Sequence, residues 1–197
     1  MIASKQIAFG GSKRKPYDAE IEYLESTGTQ YVDTGISPDA FTIWRLACAA
    51  TNTTTQFIGA IDASTIRFHF SLYDLGDVRG CMGRVQSRIG SSDLAFHVIE
   101  LDAANKRVGM DGVYVPLEYY GAIPSIPIWL FGRNSDKPSY MRMVSVKISA
   151  SQIWKNGVLV SDFIPVRKGD VGYMYDRVSG QLFGNSGTGE FVLGTDL

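Results

Sequence analysis

The sequence predicts an all-β fold in which antiparallel strands stack as two sheets around one apolar core. Apolar and polar residues alternate at period two, Gly-containing turn dipeptides punctuate those runs, and no apolar stripe of helical period reaches helical length. A chain of 197 residues, 45% hydrophobic and 20% charged, holds enough apolar side chain for a substantial single core. Its 21 Gly, 10 Tyr and 10 Phe suit many short strands joined by tight turns.

Residues 1–16 read as a basic arm. Lys5, Lys13, Arg14 and Lys15 give it a net charge of +4, which leaves −5 on residues 17–197. Gly10-Gly11-Ser12-Lys13-Arg14-Lys15-Pro16 reads as a linker between a short leader and the domain, and Ile7, Phe9, Lys13, Arg14 and Lys15 are the candidate anchor onto a neighbouring chain. Residues 17–197 form one domain. Along it, Ile66, Phe68, Phe70 and Leu72 face one way while Arg67, His69 and Ser71 face the other. Phe96 and Val98 oppose His97 and Ile99, which predicts a strand covered on both faces. Asp111-Gly112 and Asn156-Gly157 are hairpin dipeptides, because type I′ turns need positive φ at both positions. Pro124 and Pro127 bracket an extended entry into Ile128-Trp129-Leu130-Phe131. Val144, Val146 and Ile148 alternate with Ser145, Lys147 and Ser149, and Ser179-Gly180 turns the chain again near the end. Strands spaced in this way fit a sandwich or a barrel, and periodicity alone does not separate a jelly roll from an immunoglobulin-like sandwich.

Two distant regions carry a more specific signal. One is Ile21-Glu22-Tyr23-Leu24-Glu25-Ser26-Thr27-Gly28-Thr29-Gln30-Tyr31-Val32-Asp33-Thr34-Gly35. The other comprises Asp162-Phe163-Ile164-Pro165-Val166-Arg167, Gly172-Tyr173-Met174-Tyr175-Asp176 and Asn185-Ser186-Gly187-Thr188-Gly189. Together they resemble the laminin-G-like, concanavalin-A-like jelly-roll domains of gut bacterial and phage proteins, over roughly residues 20–194. The resemblance implies an antiparallel jelly-roll sandwich closed by contact between the two regions. Tyr23, Tyr31, Phe163, Tyr175 and Phe183 would then be core or edge-covering residues. It also implies an accessory protein, displayed on a phage particle or a surface and recognising glycans. The alternatives are a purely structural decoration or assembly protein and a glycanase.

Jelly-roll glycanases present carboxylates from one strand as Glu-x-Asp-x-Glu. Here Glu20 and Glu22 share a face, the Asp is missing and Glu25 is out of phase, so no catalytic residues are expected. His69 and His97 sit in strand patterns without a nucleophile motif. Such relatives often hold Ca²⁺ with loop carboxylates. Asp62, Asp74 and Asp77 lie near predicted loops but without EF-hand spacing, so no cofactor is expected. Sugar binding needs an exposed aromatic platform beside polar side chains. The candidates are Tyr73 with Asp74 and Asp77, Trp129 leading into Arg133, Asn134, Asp136 and Tyr140, and the pair Tyr119-Tyr120.

Composition narrows the rest. A formal charge of −1 and a short basic cluster without interleaved aromatics argue against nucleic acid as a partner. No apolar run approaches the ~18 residues of a membrane span, and the start lacks a secretory apolar region. Taken with these features, the resemblance implies a virion or assembled particle as the location, with other virion or surface proteins as partners of the arm. Cys48 and Cys81 read as free, buried thiols.

Overall fold

A computed structural model of the chain describes residues 15–52, 54–62, 65–72, 76–118 and 121–197. The anchor residues Ile7, Phe9, Lys13 and Arg14 lie outside the described residues, as do Tyr73, Asp74, Tyr119 and Tyr120. The strands in chain order are β1 (Ala19–Glu20), β2 (Leu24–Thr27), β3 (Val32–Asp33), β4 (Thr42–Ala50), β5 (Gln56–Asp62), β6 (Ile66–Leu72) and β7 (Asp77–Gly83). There follow β8 (Val85–Ser91), β9 (His97–Asp102), β10 (Arg107–Met110), β11 (Val113–Pro116), β12 (Trp129–Leu130) and β13 (Gly132–Ser135). The last are β14 (Arg142–Met143), β15 (Ser145–Lys155), β16 (Val158–Lys168), β17 (Val171–Asp176), β18 (Gln181–Phe183) and β19 (Val192–Leu193).

They form a two-sheet sandwich. The larger sheet runs β11-β10-β9-β4-β15-β16-β17-β18, with β1 on β16 and β2 joining β15 to β19. The smaller runs β14-β13-β5-β6-β7-β8, with β12 bridging β3 and β5. Pairing is antiparallel except where β13 lies parallel to β5 through Arg133, Asn134 and Ser135.

Alternation places the core between the layers. Phe68 and Phe70 of β6 and Trp44 of β4 are fully buried there, the Trp44 ring 5.0 Å from Phe70 and 6.3 Å from Phe68. Side chains of this size each contribute about 1.5–3 kcal/mol on burial. The Trp44 indole N–H donates to Ser151 Oγ at 3.0 Å, which satisfies the one polar group that the ring carries into the core. Both hairpin dipeptides adopt the expected positive φ: Asp111 and Gly112 at 50° and 81°, Asn156 and Gly157 at 51° and 75°.

The two signature regions meet. Ile21 N donates to Pro165 O at 3.1 Å, and just outside the two regions β1 pairs with β16 and β19 with β2. The Gln30 side chain donates to Glu190 O at 2.9 Å, and Ser186 N and Thr188 N donate to Tyr31 O and Thr29 O. Phe163 is buried, with Phe183 edge-on at 5.0 Å, and Tyr175 lies 4.9 Å from Tyr17. The expectation for β9 needs correcting. Ile99 is buried, but Phe96 and Val98 are 45% and 40% exposed, because no element among the described residues covers the outer face of the large sheet there. Cys48 and Cys81 are both free and buried. No helix among the described residues is long and apolar enough to cross a membrane.

Candidate functional site

The platform expected around Trp129 does not form. Trp129 is 6% exposed because its strand is held between Asp33 and Gly59, and its ring is stacked on Tyr31 at 3.8 Å. Asn134 is buried and donates from its side chain to Pro127 O at 2.9 Å. Arg133 is buried as well. Its guanidinium donates to Tyr140 O at 2.9 Å and lies 4.3 Å over the Phe57 ring. Asp136 and Tyr140 are exposed. Asp77 accepts from Arg79 at 3.2 Å and Arg88 at 2.7 Å, which occupies both of its oxygens and does not suit a calcium ligand. Asp62 ends β5, where its carbonyl accepts from Thr65 N.

A different constellation appears on the outer face of the large sheet. β15 pairs with β2 through Ser145–Ile148 and with β16 through Ser151–Lys155, so its neighbour changes midway. Against β4 the register slips between Ile148 and Ala150, which leaves Ser149 as a bulged residue. Bulges bend a strand and re-aim side chains. Here a cleft of about 490 Å³ opens at the gap, walled by Tyr23, Phe96, Ile164 and Pro165, with Glu20, Glu22 and Ser149 supplying polar atoms. The Tyr23 and Phe96 rings lie 6.1 Å apart at 41°, and Lys147 Nζ sits 4.5 Å over Tyr23.

The two acids of the cleft differ. Glu20 accepts from Lys15 at 2.6 Å and from the Tyr17 hydroxyl at 2.8 Å, and these bonds hold its carboxyl below the usual range. Glu22 is exposed. Phe96 is positioned by its neighbour His97, whose ring nitrogens contact Asp93 at 2.9 Å and Asp111 at 2.6 Å.

Across the same face, six residues on adjacent strands stand opposite one another: Tyr114, Gly109, Glu100, Arg45, Gln152 and Asp162. Glu100 is 4% exposed and held by Arg45 Nε at 2.9 Å, while Asp162 is held by Arg177 at 2.8 Å and Gln152 at 3.1 Å. Three strand spacings separate the two acids, about 14 Å, wider than either glycosidase geometry. His69, the other sequence candidate, is buried on the small sheet.

Sequence reasoning placed Tyr23 at a core edge and Phe96 on a covered strand, and so missed the cleft. A bulge produced by a change of neighbouring strand leaves no mark in local alternation. No protein-family model matches this sequence, and comparison with curated proteins finds no significant relative.

Proposed function

We propose that this sandwich is a non-catalytic recognition module that binds glycans through the Tyr23–Phe96 cleft, as an accessory component displayed on an assembled particle such as a phage virion. One observation carries the reading: two partly exposed aromatic rings wall an open cleft of about 490 Å³ beside an exposed carboxylate and a hydroxyl. Aromatic faces stack on the apolar face of a pyranose, and Glu22 and Ser149 supply hydroxyl partners. The volume falls within the range of small-molecule sites. Support for a non-catalytic role comes from Glu20, whose lowered pKa is opposite to that of a glycosidase general acid. The particle setting rests on the basic arm and the family resemblance alone.

A glycan array probed with the full chain tests the proposal. The expected result is binding that Tyr23→Ala and Phe96→Ala each weaken at least tenfold while the fold persists. Binding unaffected by both substitutions, or no glycan bound by folded protein, rejects it. Release of reducing sugar that Glu20→Gln and Glu22→Gln abolish would replace it with the glycanase reading.

A further inference from the structure

The strands of the small sheet hold five Arg against three Asp, whereas those of the large sheet hold six Lys or Arg against six Asp or Glu. Residues 65–92 and 132–143, which supply most of the small sheet, hold seven Lys or Arg against three Asp or Glu. The rest of residues 17–197 holds eight against seventeen. Six of those seven cations are arginine, whereas arginine and lysine are equal in the remainder.

On the outer face of the small sheet the arginines are set directly against one another. Arg79 lies opposite Arg88, and Arg133 opposite Arg142. Like charges facing across strands weaken a sheet unless an anion joins them. Asp77 already shows the mode of capture, with one carboxylate between Arg79 and Arg88. Arg67 and Arg142 donate to neutral acceptors: the carbonyls of Gly83 and Arg84 and the Gln86 side chain for Arg67, the carbonyls of Ser139 and Met141 for Arg142. Their N–H groups are occupied there without loss of charge. Beneath the arginine side chains lie Gly59, Ser71, Cys81 and His69, all buried. The last is 2% exposed and its Nδ1 has no hydrogen-bond partner.

We infer that this arginine-rimmed face binds a polyanionic glycan through the carboxylate or sulfate groups on its sugars. The planar guanidinium fork matches such oxyanions bidentately, which a lysine does not. The choice of a glycan over other polyanions rests on the recognition role proposed above. The seat is separate, because the Tyr23–Phe96 cleft opens on the other sheet.

The test measures binding of the full chain to heparin, polygalacturonate, a neutral glucan and a DNA duplex, each at 50 and 200 mM salt. Heparin binding with polygalacturonate inactive assigns sulfate, and binding of both assigns any oxyanion. Affinity should fall at least tenfold at the higher salt, as counterion release requires. It should fall a further tenfold in Arg88→Ala/Arg142→Ala and be only partly restored in Arg88→Lys/Arg142→Lys. Tyr23→Ala should leave it unchanged. Neutral-glucan binding lost in Tyr23→Ala but kept in the arginine variant would confirm that the seats are independent. If the cleft binds nothing while polyanion binding survives, the cleft reading fails and this one stands. No polyanion bound at low salt, an arginine variant with native affinity, or DNA bound as tightly as the polysaccharides would overturn it.

Discussion

His97 Nδ1 lies 2.6 Å from Asp111 Oδ2, joining the segment that carries Phe96 to the β10–β11 turn, and its Nε2 lies 2.9 Å from Asp93. Asp111 Oδ1 also accepts from Val98 N, so one carboxylate ties ring and backbone together. Burial disfavours the imidazolium, but the bonds to Asp111 and Asp93 outweigh it and raise the His97 pKa. The same contacts lower Asp93, and they lower Asp111 against the effect of its burial.

A pH window follows. The raised histidine contributes stability that is complete below its unfolded value of about 6.5 and lost as pH rises through the folded value. The lowered carboxylates contribute above about 3.9, and that part is lost as pH falls through their folded values. The clamp should therefore be tightest in weak acid and loosen as pH rises through the raised His97 value. An NMR titration of the His97 ring checks this, and a midpoint at or below the free-histidine value would refute it. His97→Gln should flatten the pH dependence of amide protection in residues 92–97.

Ser151→Ala should destabilise the sandwich by about 1–3 kcal/mol, because it strands the buried Trp44 indole N–H without an acceptor. Urea unfolding followed by Trp fluorescence measures it. A change under 0.5 kcal/mol, the range of an ordinary surface substitution, would mean that the bond contributes little.

Gly187→Ala should also destabilise, by about 1–3 kcal/mol as an overpacked contact. A Cβ there would collide with the Thr29 carbonyl, where the closing segment crosses the first signature region. Thermal unfolding of this variant beside Gly157→Ala separates two causes. Position 157 has open space around a Cβ but a φ of 75°, so only backbone strain is felt there.

The thiols should resist modification in the folded protein. Burial pushes Cys48 up to about 12 and raises Cys81 as well, so neither supplies thiolate at neutral pH. An aromatic disulfide reagent should titrate no thiol natively and both in denaturant. Rapid native labelling would contradict the burial.

What could be read in advance was local. Asp111-Gly112 and Asn156-Gly157 declare their turns because positive φ is a property of the dipeptide. The inward set Val144, Val146 and Ile148 follows from strand period two. Trp129 and Phe96 were misplaced because their exposure depends on partners far along the chain. Tyr31 covers one, and no described element covers the outer face around the other. The parallel run of β13 on β5 was equally silent, since alternation says which face a residue takes and nothing about strand direction.

The joining of β2 to β19 has a consequence for biosynthesis. A ribosome must release Leu193 before the early strand that pairs with Val192 and Leu193 finds its mate, some 170 residues after Leu24 was made. Nascent chains halted before that point leave this edge unzipped, and such long-range pairing makes its closure slow.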